Sequence, residues 1–260
     1  MKVQTEQLRI AVLVKQVPDI NEISVDAVTH YANLGPAQVM NTYDAYAVGE
    51  AIGIKERAGA TVTVITAGPP SAREVLLRAL ATGADEAILI DLPNHNDIDT
   101  LATARLLAAE IGKHPFDLIL AGQSTDDYET GQVGPQVAEL LGWPHASLVT
   151  HVEVSNNRRL TINRDAEASK EVVETATPAV LMVLSGRDGL RKFPTLRGMM
   201  AAKKETIPVV EAQHRQEFQR LEWSDPIAIE REVTGTIVEG VPAEQAAADL
   251  VTWLREQKLV

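Results

Sequence analysis

Between Asp117 and Pro144 the chain reads DLILAGQSTDDYETGQVGPQVAELLGWP, a pattern suited to holding an anion. A short apolar run ends at Gly122, a polar, hydroxyl-bearing loop follows, and an amphipathic helix is predicted to open near Thr130. Strand, loop and helix in that order turn several backbone N–H groups toward one point. There the unpaired donors and the helix dipole both favour negative charge. The chemistry is phosphate recognition, which points to a bound nucleotide. Catalytic signatures are missing: the sequence has no GxSxG, no phosphate-binding GxxxxGK[ST] loop and no GxGxxG. The six histidines, at 30, 95, 114, 145, 151 and 214, include no pair at helical metal-ligand spacing.

The elements that must position this loop follow from periodicity. Arg9 to Val14, Thr61 to Thr66, Glu86 to Ile90 and Asp117 to Leu120 are short aliphatic runs and read as buried strands. Thr42 to Ala58, Ser71 to Thr82, Asp99 to Gly112 and Thr130 to Leu141 carry apolar stripes of helical period, three of them followed by a glycine. Strand alternating with helix predicts an α/β fold, a doubly wound parallel sheet with helices on both faces. Ligands of such sheets bind beyond the carboxyl ends of the strands. The loops to inspect are therefore Lys15 to Asp19, Ala67 to Pro69 and Gly122 to Gln132. The long connection from Lys15 to Gln38 is expected to be functional or partly structured.

After Pro144 the pattern changes. Ser147 to Val154, Leu160 to Asn163 and Glu171 to Glu174 read as a small antiparallel region, with Asn156–Asn157 as a turn. Pro178 to Leu184 is a further buried strand, and Gly186 to Met200 reads as an exposed loop. Residues 1–204 are expected to form the nucleotide-binding α/β domain. Residues 205–260, ending in a helix from Ala243 to Leu254, form an extension that packs either on another subunit or on its own domain.

Composition narrows the class. In 260 residues, 45% apolar content is enough for a full core, and with aromatics at 4% that core must be aliphatic. A formal charge of −12 argues against nucleic acid or an anionic membrane as partner. The absence of cysteine removes disulfides, thiolate clusters and a Cys nucleophile from consideration. With no apolar run of about 20 residues and no signal peptide, the expected compartment is the cytoplasm, or an organelle matrix.

Over essentially its whole length the chain resembles the beta subunit of electron transfer flavoproteins, including FixA-type proteins. The segments that carry the resemblance are VLVKQVPD, MNTYDAYAVGEAIGIKE, VTVITAGPPSAREVLLRALATGADEAILI, the segment quoted above, TPAVLMVL and TLRGMMAAKKETIPV. The resemblance implies an electron carrier rather than an enzyme, an obligate heterodimer with an alpha subunit that holds FAD. It implies electron delivery from dehydrogenases to a quinone oxidoreductase or another acceptor. It also implies an adenine nucleotide in this subunit: AMP in ordinary members, a second FAD in electron-bifurcating ones. The alternative is a universal-stress-type nucleotide-binding module without a redox role. An ATP pyrophosphatase is disfavoured, because the loop after the first strand reads KQVPD and not SGGxDS.

The resemblance places the adenine end at Leu13, Asn41, Asp44 and Ala67, with Gly68 allowing close approach. Without it, Leu13 and Ala67 are plain core, and Asn41 and Asp44 a helix cap and first-turn acid. The phosphate end maps to Gln123, Ser124, Thr125, Asp126, Thr130, Gly131, Gln132 and Val133, chiefly through backbone N–H groups and hydroxyls. Asp126, Asp127 and Glu129 either ligate a hydrated cation, contact ribose hydroxyls or point outward; Asp127 and Glu129 are read as solvated. Two departures stand out. Thr42 occupies the place of the usual proline after Asn41, and the acidic loop is one residue longer than usual. Its GQVGP ending is similar to bifurcating or FixA-type loops. Leu196 matches the leucine that docks on dehydrogenases, the alternative being packing on its own domain; the basic residues around it, Arg187, Arg191, Lys192, Arg197, Lys203 and Lys204, either steer an acidic partner or are solvated. Arg164 and Glu171, in the antiparallel region, could face the partner's flavin, but nothing in the sequence places them there.

Overall fold

The computed structural model describes residues 7–92, 98–155, 158–166, 168–186, 193–212, 224, 226–228 and 237–260. Two compact units divide the chain, Met1–Pro226 and Ile227–Val260. The Asn156–Asn157 turn, His95, Arg187, Arg191, Lys192 and His214 lie outside the described residues.

The first unit is built on a nine-stranded sheet. Its strands are β1 (Arg9–Leu13), β6 (Thr61–Gly68), β7 (Glu86–Asp91), β8 (Leu118–Gly122), β9 (His145–Val154), β10 (Arg159–Ala166), β11 (Ser169–Ala176), β12 (Ala179–Val183) and β13 (Val209–Glu211). Two small antiparallel pairs occupy the first long connection: β2 (Gln16–Pro18) with β5 (Gln38–Met40), and β3 (Ser24–Val25) with β4 (Ala32–Asn33). The main sheet runs β11-β10-β9-β12-β8-β1-β6-β7-β13. From β9 to β13 every neighbouring pair is parallel, and β10 is antiparallel to both β9 and β11. The small antiparallel region is thus the edge of the same sheet, with its first strand parallel to β12. β13 adds to the opposite edge, so Val209–Glu211 of the expected extension lies in the main sheet.

Alternation along each strand divides the core into two layers. Ile10 and Val12 of β1 join Val62 and Val64, Leu118 and Leu120, and Leu181 under helices α1 (Thr42–Ala58) and α2 (Arg73–Thr82). Ala11, Leu13, Ile65, Ile119 and Val180 face the other way, under α3 (Thr100–Ile111) and α4 (Val133–Leu141). This is the doubly wound arrangement, buried on both faces as a parallel sheet requires.

Helix bounds follow from local chemistry. α1 stops at Gly59, whose φ of 74° is left-handed and whose N–H donates to Lys55 O. α3 starts at an Asp99 cap that accepts the Ala102 N–H at 2.8 Å. The start of α4 differs from the sequence-based expectation. Glu129 (φ 50°) and Gly131 (φ 60°) are both left-handed, so the helix opens at Val133 and not near Thr130. α1 is also tied to β9. Buried Glu50 accepts the Val152 N–H at 2.9 Å, and its Oε1 lies 2.9 Å from His151 Nδ1.

Part of the predicted exposed loop is a helix, α5 (Leu196–Ala202), capped by Thr195, whose Oγ1 accepts the Gly198 N–H at 2.9 Å. Gly198 lets α5 lie against the end of α2. In the second unit, α6 (Ala243–Glu256) follows Pro242 and carries the predicted stripe of Ala246, Ala247, Leu250, Val251 and Leu254. Among the described residues no helix is long and apolar enough to cross a membrane.

A Cβ at position 198 would lie 2.3 Å from the Ala81 carbonyl oxygen, a backbone atom that cannot yield alone. Gly198→Ala is therefore expected to cost about 1–3 kcal/mol locally by overpacking. Amide exchange should accelerate across α5 while protection of the central strands persists. Unchanged protection of α5 would show that the close approach is not needed.

Candidate functional site

Strand order reverses at β1. The chain moves from β1 through β6 to β7, then returns across the sheet to β8 on the other side. The carboxyl ends of β1 and β8 therefore lie side by side while their following segments diverge, which creates the crevice where ligands of this architecture bind.

Three side chains close that crevice from below. Asp44, in the first turn of α1, accepts the Lys15 N–H at 2.7 Å through Oδ2 and the Gly122 N–H at 3.0 Å through Oδ1. Its carboxyl is buried, at 5% exposure, and joins the end of β1 to the end of β8. Asn41, fully buried, donates from Nδ2 to the Ser124 carbonyl at 2.8 Å and accepts the Asp126 N–H at 3.0 Å. Asp126 in turn accepts the Thr42 N–H at 2.8 Å. Asn41 is thus the N-cap residue of α1 by position but makes no side-chain cap bond. The cap comes from Asp126, 84 residues away.

Gly122 is required by this packing. A Cβ there would lie 2.3 Å from Asp44 Oδ1 and 2.9 Å from the Asp44 backbone nitrogen.

The remaining predicted residues divide into those with open groups and those already engaged. Gln123 donates its N–H to Val183 O, and its Oε1 accepts the Leu148 N–H at 2.7 Å, so it staples the loop to β12 and β9. Gln132 Oε1 accepts the Thr100 hydroxyl at 2.8 Å. Thr125 closes a turn through its carbonyl, which accepts the Glu129 N–H. Ser124 Oγ is buried and has no partner among the described residues. Gly131 folds back so that its Cα region approaches Gln123 O, bringing Val133 and the start of α4 beside the same loop. Thr130 is exposed. On the other side of the crevice, Leu13 (6% exposed) and half-buried Ala67 pack in one cluster above Ile65. Gly68 O accepts the Leu92 N–H at 2.8 Å.

Two site residues escaped the sequence reading. Asp127 is exposed, as expected, but it is paired: its Oδ2 lies 2.5 Å from Lys15 Nζ. Lys15 also sits over the Tyr128 ring, 4.7 Å from its centroid. Lys15 is the one basic residue of the Lys15 to Asp19 loop, and that is its signal in the sequence. Arg164 and Glu171 face each other across β10 and β11 and pair at 3.2 Å, while Arg164 Nε donates to Ser147 O. Leu196 is 73% exposed at the start of α5, beside exposed Phe193 and Met200.

Comparison with known proteins agrees with this architecture. Residues 28–214 match the model of the electron transfer flavoprotein domain. A chain from Thermoanaerobacterium thermosaccharolyticum named electron transfer flavoprotein subunit beta is 39% identical over 201 residues, 76% of each chain. Protein FixA of Azotobacter vinelandii is 36% identical over 205 residues, 76% of this chain and 73% of the relative. The caffeyl-CoA reductase-Etf complex subunit CarD of Acetobacterium woodii is 32% identical over 270 residues, covering 97% of this chain and all of the relative. The universal-stress-type alternative finds no support in these relatives.

Burial pushes the Asp44 carboxyl up to about 7, against the opposing pull of the Lys15 N–H, the Asn41 side chain and the Gly122 N–H. Its unfolded value is near 3.9. Between about pH 4 and pH 7 the folded state then holds one more proton than the unfolded state. Stability from this group is fully present below about pH 4 and falls as pH rises toward 7, by about 4 kcal/mol at most. Asp44→Asn, which mimics the protonated form, should remove this slope. Denaturant titrations of both proteins at pH 4.5 and 7.5 check it, and parallel pH profiles would contradict it.

Proposed function

The chain belongs to the beta-subunit family of electron transfer flavoproteins, and from that premise we propose that it is half of a cytoplasmic electron-carrying heterodimer. Its partner is a larger alpha subunit that holds FAD. In its own sheet this subunit holds an adenine nucleotide, either AMP or the AMP half of a second FAD. The observation that carries the reading is the closed crevice at the switch point, where Asn41, Asp44 and Asp126 fix the ends of β1 and β8 and the first turn of α1 in one hydrogen-bonded unit.

The residues present fit such a ligand. An adenine ring needs an apolar wall with small residues beside it, and Leu13, Ala67 and Gly68, at the ends of β1 and β6, are the residues assigned to it. A phosphate needs donors, and two sources lie at the loop: the buried Ser124 hydroxyl and the first amides of α4, which have no side-chain partner or cap among the described residues. Asn41 and Asp44 hold the walls in place, and Thr125, Asp126, Thr130, Gly131, Gln132 and Val133 form the phosphate rim. Gln123 supports the rim from behind. The flavin of the partner supplies the redox chemistry; this chain contributes binding and orientation and does no acid–base work.

Docking of the dehydrogenase is assigned to Leu196. An exposed leucine at the head of a short helix, flanked by Phe193 and Met200 and by Arg197 and Lys203, fits an anchor steered toward an acidic partner. A quinone oxidoreductase or another acceptor takes the electrons onward. The extension at the C-terminus is assigned to packing on the alpha subunit.

Co-production with the alpha subunit should give a yellow heterodimer. Acid extraction should release one FAD plus one AMP, or two FAD, per heterodimer; the second result assigns electron bifurcation. A colourless homodimer that binds ATP without a partner would contradict the proposal. Leu196→Ala should slow electron transfer from the dehydrogenase by roughly tenfold or more, with nucleotide content unchanged. Loss of nucleotide in that variant would remove Leu196 from the docking role.

A further inference from the structure

Three loops rim the crevice, and they carry a charge imbalance. Residues 14–19, 67–72 and 122–132 contain Asp19, Asp126, Asp127 and Glu129 but a single Lys or Arg, Lys15. An anion entering such a rim meets repulsion unless a cation compensates it. Asp126 is already committed to the Thr42 N–H. Lys15 is committed elsewhere: its ammonium pairs with Asp127 Oδ2 at 2.5 Å and rests over the Tyr128 ring.

The backbone of Lys15 does not move independently of the site. Its N–H donates to Asp44 and its carbonyl accepts the Asn41 N–H at 3.0 Å. The clasp therefore anchors the root of the side chain, while the ammonium reaches across to the 122–132 loop. Asp127 is held in its turn by a 2.9 Å bond from the Tyr128 N–H to Oδ1. The carboxylate thus sits in the place on Lys15 that a phosphate oxygen would take.

Resting on the nucleotide reading above, we propose that Lys15 is the phosphate-recognising cation of this site and that Asp127 is its built-in competitor. A phosphate dianion outcompetes the carboxylate, whereas an unphosphorylated nucleoside leaves the Lys15–Asp127 pair intact. The pair thereby makes binding selective for phosphorylated adenine ligands. The exchange also couples arrival of the phosphate to the Asp127–Tyr128 tip of the loop.

The test uses the full-length heterodimer after removal of its bound nucleotide, titrated calorimetrically with AMP and with adenosine. Lys15→Gln should weaken AMP by about tenfold or more while changing adenosine less than about twofold, and should lower the salt dependence of AMP binding. Asp127→Asn should tighten AMP severalfold, leave adenosine unchanged and keep the salt dependence. This second variant retains Lys15 and reports even if Lys15→Gln folds poorly. Equal losses for AMP and adenosine in Lys15→Gln would reduce the pair to a structural tether and overturn the assignment. So would weaker AMP binding in Asp127→Asn. A wild-type heterodimer that binds neither ligand would overturn the nucleotide reading itself, and this assignment with it.

Discussion

One buried carboxylate bonded to two backbone N–H groups from neighbouring strands holds the working edge of this protein together. β1 and β8 pair in register as far as Val12 and Leu120. Beyond that point the strands part, because their connections lead to opposite sides of the sheet, and the N–H groups of Lys15 and Gly122 have no ladder to join. Buried donors without acceptors cost free energy. Asp44 supplies the acceptors from a third element, α1. A carboxylate so deeply placed is itself costly, and its bonds to those N–H groups offset only part of that cost, which is why burial still pushes it up to about 7. The switch point is open to a ligand and fixed in shape because of this one residue.

The rest of the crevice depends on that arrangement in sequence. With α1 docked by Asp44, Asn41 is placed to hold Ser124 and Asp126, and Asp126 to cap α1 in return. The 122–132 loop is therefore ordered by the helix it faces and not by its own turn residues alone. Gln123 secures its other side to β9 and β12. The loop returns through left-handed Glu129 and Gly131 to deliver the open N-terminus of α4. On the nucleotide reading proposed above, the ligand contributes position more than chemistry, and a preorganised rim of this kind is the main requirement.

Much of this was legible in the sequence, and the remainder was not for definable reasons. The bounds of α1 emerged correctly because an apolar stripe and a terminal Gly59 are local signals. The two-faced sheet emerged because β1, β6 and β8 are short aliphatic runs separated by helices. The cap of α1 by Asp126 could not emerge, since no local pattern links residues 84 positions apart. The partner of Asp127 could not emerge for the same reason: the residue is exposed, and only the fold brings Lys15 to it. The start of α4 was set three residues early because helix periodicity does not register a left-handed Gly131. The stretch before Met200 read as a loop because α5, at 7 residues, is too short to show a stripe. The family resemblance supplied the candidate residues of the site. The structure supplied which of them have groups left to offer, setting Gln123, whose N–H and side-chain oxygen are both engaged, apart from Ser124, whose hydroxyl is not.

The central claim is that the β1–β8 switch point, closed by Asp44 and Asn41, is an adenine-nucleotide site. A crystal structure of the heterodimer with its native nucleotide tests it most directly. The account predicts electron density for adenine against Leu13 and Ala67 and for the first phosphate against Ser124 and the start of α4, with Asp44 still bonded to the Lys15 and Gly122 N–H groups. Density for the nucleotide at any other place on this subunit, or an Asp44 carboxyl released from those two donors, would contradict it.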